Sequence, residues 1–217
     1  MTTPFSSSAP PVVYVIDDDS SMREALEDLL ASVGLTVRAF ASTRAFLARP
    51  IEQTPGCLVL DVRMPEQSGM DFHRQMLRMG IELPVVFITG HGDIAMGVTA
   101  IKRGAIEFLS KPFRDQDLLD AIHQGLEQDR ERREREAATA LLRGRWMSLT
   151  EGERDVVRLV VQGLLNKQVA SLLNLSEITV KVRRGNAMRK MQVQSLAALV
   201  RVTDTLERSR VPTGTGA

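Results

Sequence analysis

Three consecutive carboxylates, Asp17, Asp18 and Asp19, close the apolar run Val12-Val13-Tyr14-Val15-Ile16. Asp61 closes a second such run, Cys57-Leu58-Val59-Leu60, and Thr89 a third, Val85-Val86-Phe87-Ile88. Lys111 follows a weaker candidate, Ala105–Leu109. Uninterrupted apolar runs of this length suit strands buried on both faces, as in a parallel sheet. Ligands bind such sheets at the carboxyl ends of the strands, which is where all of these polar residues fall. Carboxylates gathered at one mouth repel each other and call for a hard divalent cation. Oxygen ligands with open positions suit magnesium, which keeps waters and bridges to phosphate. A carboxylate can attack phosphorus to give an acyl phosphate, a transfer that needs mainly positioning and charge neutralisation. Lys111 supplies an ammonium group for this and Thr89 a hydroxyl donor.

Between the runs lie helical patterns. Met22, Ala25, Leu26, Leu29 and Leu30 recur at helical spacing, and Gly34 is placed to end that helix. Ser42 is a candidate cap for a second helix and Asp93 for a fourth that ends at Gly104. Leu118, Ile122 and Leu126 mark a fifth, and Thr36–Phe40 reads as a further strand. Strand and helix thus alternate five times, which predicts an α/β fold with a doubly wound five-stranded parallel sheet.

A chain of 217 residues suits two cores better than one. Residues 1–128 carry 11 Lys and Arg against 17 Asp and Glu, a balance of −6, whereas residues 143–217 carry 13 against 6, a balance of +7. An acidic half followed by a basic one implies two tasks, the second directed at a polyanion. Aromatic residues are only 4% of the chain, which argues against broad stacking platforms. The single cysteine, Cys57, excludes an intramolecular disulfide and a thiolate-rich zinc site; it reads as a reduced packing residue, and the cytoplasm as the compartment. No apolar stretch approaches the roughly 18 residues of a membrane span. MTTPFSSSAPP lacks a basic and an apolar region and reads as a disordered tail rather than a secretory signal.

Residues 129–142, DRERREREAATALL, continue the fifth helical pattern with interleaved charges, as a solvated helical linker would. From Thr150 the pattern is wholly helical. Thr150 and Glu153 form a T-x-x-E capping box opening a helix that ends near Gly163. Asn166 is expected to cap the next helix and Asn174 to end it in a left-handed conformation. Ser176 caps a longer helix reaching about Met191, and a last helix runs from about Ser195 to Leu206. The expected organisation is a tail (1–10), an α/β domain (11–128), a linker (129–147), an all-α four-helix domain (148–208) and a second tail (209–217).

A short helix, a turn and a longer helix fit helix-turn-helix spacing, with the longer helix entering the DNA major groove. On it, Val180, Ala187 and Met191 share the inward face, Val182, Gly185, Asn186 and Arg189 point outward, and Lys181 lies on the flank. Lys167, Lys181, Arg183, Arg184, Arg189 and Lys190 supply positive charge, and Asn166 and Thr179 can donate to phosphates. Glycine inside a helix costs about 1 kcal/mol against alanine, so Gly185 calls for a reason, such as close approach of backbone to DNA.

VIDDD, LVLDVRMPEQSG, FITGHGD and GAIEFLSKPF resemble the four signature blocks of response-regulator receiver domains, over roughly residues 11–128. The resemblance implies that Asp61 is the phosphoacceptor and that Asp18 and Asp61 bind magnesium directly. By the same resemblance Asp17 acts through water and the Arg63 carbonyl completes the site. Thr89 and Lys111 would bind phosphoryl oxygens, Phe108 would be the switch aromatic, and Lys111-Pro112 a cis bond. LTEGERDVVRLVVQGLLNKQVASLLNLSEITVKVRRGNAMRKM resembles the LuxR-type output domain, and the whole chain the FixJ/NarL class of two-component regulators. Gly152 stands where relatives carry arginine, Asn174 replaces a turn glycine and Arg183 a common histidine. The class implies a transcriptional activator, not an enzyme, phosphorylated by a sensor histidine kinase. It also implies pairing when phosphorylated, duplex DNA and RNA polymerase as partners, and no membrane association.

Two other readings compete. A phosphatase with an aspartate nucleophile wants a second acid two residues on, where this chain has Arg63. A regulator that ignores phosphate would bind DNA constitutively, and the intact acidic pocket argues against it. His91, His73 and His123 have no serine or cysteine partner signalled, so a catalytic histidine is not expected.

Overall fold

Each apolar run of the first half becomes a strand: β1 (Val12–Ile16), β2 (Thr36–Phe40), β3 (Gly56–Asp61), β4 (Val85–Thr89) and β5 (Glu107–Ser110). They form one sheet in the order β2-β1-β3-β4-β5, every pairing parallel. The computed structural model describes residues 10–90 and 94–209. The expected tails (apart from Pro10 and Ser209), Asp93 as a cap and His91 fall outside the described residues.

Alternation along the strands divides the core by face. Val12, Tyr14, Ile16, Leu58, Leu60, Val85 and Phe87 pack with Phe46, Phe72 and Met76 on one side. Val13, Val15, Cys57, Val59, Val86 and Ile88 pack with Leu26, Leu30, Leu118 and Ile122 on the other. The covering helices are α1 (Ser20–Ser32), α2 (Thr43–Leu47), α3 (Gly69–Arg78), α4 (Ile94–Lys102) and α5 (Asp115–Met147). Their ends follow ordinary capping. Asp19 accepts from the Ser21 N–H and Ser42 from the Ala45 N–H, and Gly34 takes φ 79° just beyond α1. β5 begins two residues later than expected, because Ala105 and Ile106 are still entering the sheet; the Ile106 N–H donates to the Val85 carbonyl.

The chain divides into two compact units, Met1–Arg133 and Glu134–Ala217, and α5 runs through the division as one 33-residue helix. The stretch expected as a solvated linker is built into a unit at each end. Asp129 is fully buried and accepts hydrogen bonds from the Gly56 N–H (2.9 Å), Arg132 Nη2 (2.5 Å) and Arg133 Nε (2.6 Å). At the other end Leu142 and Trp146 pack on the second unit's core.

That second unit adds α6 (Glu151–Val161), α7 (Asn166–Leu173), α8 (Glu177–Lys190) and α9 (Leu196–Arg208). Val157, Ala187, Met191, Leu199 and Leu206 form one apolar cluster, and Val156, Val160, Val169 and Val180 another. The Thr150–Glu153 capping box is present, Ser176 and Ser195 cap α8 and α9, and Asn174 ends α7 at φ 51°, ψ 49°. Asn166 does not cap α7: Leu165 holds that place, its N–H bonded to the Gln168 side chain, and Asn166 is the first helical residue.

Candidate functional site

In this strand order β1 lies between β2 and β3, so the chain passes from β1 to β2 on one side and then crosses back to β3 on the other. The crevice at that reversal opens between the ends of β1 and β3, which carry Asp17 and Asp61. Asp17 is fully buried, its Oδ1 accepting from the Asp19 N–H at 2.9 Å and its Oδ2 from Lys111 Nζ at 2.7 Å. Arg23 Nη1 donates to the carbonyls of Asp17 (2.8 Å) and Asp18 (2.9 Å), which fixes the turn that leaves the Asp18 side chain exposed.

Asp61 is 6% exposed and its buried Oδ1 has no hydrogen-bond partner. Lys111 Nζ stands 3.7 Å from that oxygen, beyond hydrogen-bonding reach. Burial pushes the Asp61 carboxyl above the ordinary carboxylate range; Lys111 pulls it down, while Asp17 and Asp18 push it further up. One oxygen from each of Asp17, Asp18 and Asp61 lies within 4.8 Å of the others. A carboxylate held ionised here at neutral pH lacks enough positive charge of its own, and this donor set with a buried unpaired oxygen fits a hard divalent cation.

Around these acids the structure brings Thr89 and Lys111 together as expected. Thr89 is fully buried at the end of β4, and its carbonyl accepts the Lys111 N–H at 2.7 Å. The Lys111-Pro112 bond is cis. Phe108 is half-buried on β5, its ring centroid 6.4 Å from that of Phe87. Arg63 follows β3 with its side chain exposed, and its backbone hydrogen bond to Asp61 lowers that carboxyl's pKa.

In the second unit, α7, a turn at Asn174-Leu175 and α8 form the expected helix-turn-helix, with Val180, Ala187 and Met191 buried. Val182, Gly185 and Arg189 are exposed opposite them, Asn186 is half-buried beside them, and Lys181 is exposed on the flank.

Residues 13–123 match the family described as the response regulator receiver domain, and residues 147–203 that of bacterial regulatory proteins of the luxR family. The chain belongs to the response regulators. Nodulation protein W of Bradyrhizobium diazoefficiens is 50% identical over 200 residues, covering 92% of this chain and 88% of that protein. The response regulator protein TmoT of Ectopseudomonas mendocina is 48% identical over 198 residues, 91% of this chain and 90% of its own. The solved structure of the response regulator StyR shares 48% identity at a TM-score of 0.82, covering 90% of this chain and 99% of that one. The protein is therefore a response regulator with a receiver domain and a LuxR-type DNA-binding domain, related to transcriptional regulators.

The output domain spends some of its cations internally. Lys190 Nζ bonds Glu153 Oε2 at 2.7 Å and the Ser148 carbonyl at 3.2 Å, so it braces α6 instead of facing outward. Arg184 Nη1 donates to Asn166 Oδ1 at 3.2 Å, tying α8 to α7, and Arg183 lies over Gly152 of α6. Thr179 and Ser176 share a hydrogen bond of 2.8 Å, and Arg189 Nη2 donates to Asn186 Oδ1 at 2.6 Å. Lys167 and Lys181 are exposed. The departures at Gly152 and Arg183 thus meet in space, because a side chain on residue 152 would occupy the place of the Arg183 guanidinium.

Sequence reasoning passed over three residues. A Cβ on Gly69 would collide with the Asp61 carbonyl, so the loop after β3 can fold back only on a bare residue; its place at the end of the LVLDVRMPEQSG block was the available signal. Gly97 of α4 leaves room for Phe108, whose Cδ1 would stand 3.2 Å from an added Cβ. Ile178 is 77% exposed at the start of α8, beside the residues singled out for DNA.

Proposed function

We propose that Asp61 accepts a phosphoryl group from a phosphohistidine of a partner sensor kinase, and that this switches the LuxR-type domain toward duplex DNA. The buried, unbonded Oδ1 of Asp61 carries the reading. A carboxylate with an oxygen kept free of hydrogen bonds has lone pairs left for a cation while its other oxygen attacks phosphorus, and burial raises the basicity of the group. The new bond joins an Asp61 oxygen to phosphorus while the bond from phosphorus to the donor imidazole nitrogen breaks, its electron pair leaving with the nitrogen. Asp17, Asp18 and Asp61, with the Arg63 carbonyl, would hold a magnesium ion, which when bound supplies charge neutralisation for the transfer. Lys111, bonded to Asp17 and 3.7 Å from Asp61, would pair with the incoming phosphoryl oxygens. Thr89 would donate its hydroxyl to the same oxygens, and Phe108 would turn inward behind it.

The acyl phosphate adds negative charge at the strand ends and remodels the face around α4. This favours pairing of two receivers. Two output domains on one duplex then bind more tightly through effective concentration. The protein works in the cytoplasm as an activator that contacts RNA polymerase, and it has no turnover as an enzyme. Intact-mass analysis after exposure to a small acyl phosphate and magnesium tests the acceptor. Wild type should gain one phosphoryl group and Asp61→Asn none; equal gain by both would overturn the assignment.

A further inference from the structure

We infer that α8 reads its operator through thymine methyl groups, met by an apolar stripe of Ile178 and Val182 beside the bare backbone at Gly185. The inference rests on the DNA-binding reading of α8 and specifies what that helix recognises.

Ile178, Val182, Gly185 and Arg189 follow one another at helical spacing and lie opposite the buried Val180, Ala187 and Met191. They are thus the residues of α8 that point most directly away from the protein. Ile178 is 77% exposed and Val182 55%, a large apolar area to leave in water on a helix whose other face is the core. The charge around the stripe identifies the occupant. Lys181 flanks it, Arg189 continues it and Lys167 stands exposed on α7, all without an acidic ion-pair partner among the described residues. A protein partner of plain apolar character would not call for that cationic border, whereas a duplex does.

Within the groove, the N-terminal residues of the recognition helix lie nearest the bases. In this chain those places on the outward stripe hold two β-branched hydrocarbons and no side-chain donor or acceptor. Among the base edges of the major groove, the thymine C5-methyl is the apolar feature, so it is the complement the stripe can select. Both side chains are stiff at χ1 and lose little freedom when they dock. An added Cβ at Gly185 would meet nothing within 4 Å inside the protein, so the helix itself does not require glycine there. The missing side chain instead lets the helix axis settle deep enough for Ile178 and Val182 to reach methyl groups.

The test uses the full-length chain, with and without magnesium and beryllofluoride, to select duplexes from a random-sequence pool. The enriched duplex is then remade with deoxyuridine in place of individual thymines, which removes only the methyl group. For wild type, replacing a thymine read by the stripe should weaken binding about fourfold, the loss expected for one buried methyl. The Ile178→Ala and Val182→Ala variants, both at exposed positions, should bind the two duplexes within a factor of two of each other. The dependence of affinity on salt should stay as in wild type, since no phosphate contact is lost. An enriched duplex that tolerates deoxyuridine at every position overturns the inference and leaves the DNA-binding reading standing. Failure to enrich any duplex in either condition overturns both.

Discussion

Receiver and output domain each bury a carboxylate against a lysine, and the two pairs are built to opposite ends. In the receiver, Lys111 gives its hydrogen bond to Asp17 and stands off from Asp61, so the Asp61 oxygen is buried and unbonded and its pKa is raised by burial. In the output domain, Glu153 is desolvated as well, but Lys190, the Thr150 N–H and the Thr150 hydroxyl together outweigh that and hold its carboxyl below the ordinary value. One acid is left unsatisfied at the strand ends where chemistry occurs, and the other closes the first turn of a helix. A buried ionisable group therefore reports function through what its neighbours withhold, and burial alone does not separate the cases.

Removing the partners of each acid separates the two cases. Asp129 is the receiver's own satisfied carboxylate, holding a strand N–H and two guanidinium groups. Asp129→Ala leaves the buried Gly56 N–H without its acceptor and removes the ion pairs to Arg132 and Arg133, and urea unfolding should lose about 2 to 3 kcal/mol. A change below about 1 kcal/mol would mean that the start of the α5 extension is not locked to β3. Glu153→Gln keeps the shape of the capping box and loses the Lys190 ion pair. The output domain should lose about 2 kcal/mol, read as a lower unfolding midpoint. Gly185→Ala should move the two properties apart. Helix propensity stabilises the output domain by about 1 kcal/mol, while DNA binding weakens. Unchanged DNA affinity would show that the backbone at Gly185 does not approach the duplex.

The smallest expected effect lies in pH dependence, where the two acids have opposite signs. The folded pKa of Glu153 is depressed, so its contribution is present above the unfolded value of 4.5 and is lost as pH falls through the folded one. That of Asp61 is raised, so its contribution is present below the unfolded value of 3.8 and is lost as pH rises through the folded one. Asp61→Asn should accordingly stabilise the metal-free receiver at neutral pH, and magnesium should stabilise wild type more than the variant. Thermal melts with and without the ion read both effects.

Much of the receiver was legible because its sequence signals are local. The apolar runs that became β1, β3 and β4 are uninterrupted, and the acids and Thr89 sit at their ends. The acid cluster could be assembled from strand ends alone once the sheet was taken as parallel. Asp129 was not legible. Within a run of alternating charges nothing marks it, and its partner is the Gly56 N–H, 73 residues away. The same holds for Lys190 and Arg183: their charge was plain, but the Glu153 oxygen and the bare Gly152 they meet belong to another helix. The cap of α7 failed for a different reason, since Leu165 caps through its backbone and Gln168 supplies the side chain, which leaves Asn166 inside the helix.

The switch itself is tested most directly by DNA affinity and oligomeric state, measured with and without magnesium and beryllofluoride for wild type and Asp61→Asn. Binding that tightens, together with a rise in mass to the dimer, only for wild type with both additives is the expected result. Equal affinity in all four conditions would contradict it, leaving a helix-turn-helix that binds DNA without regard to Asp61.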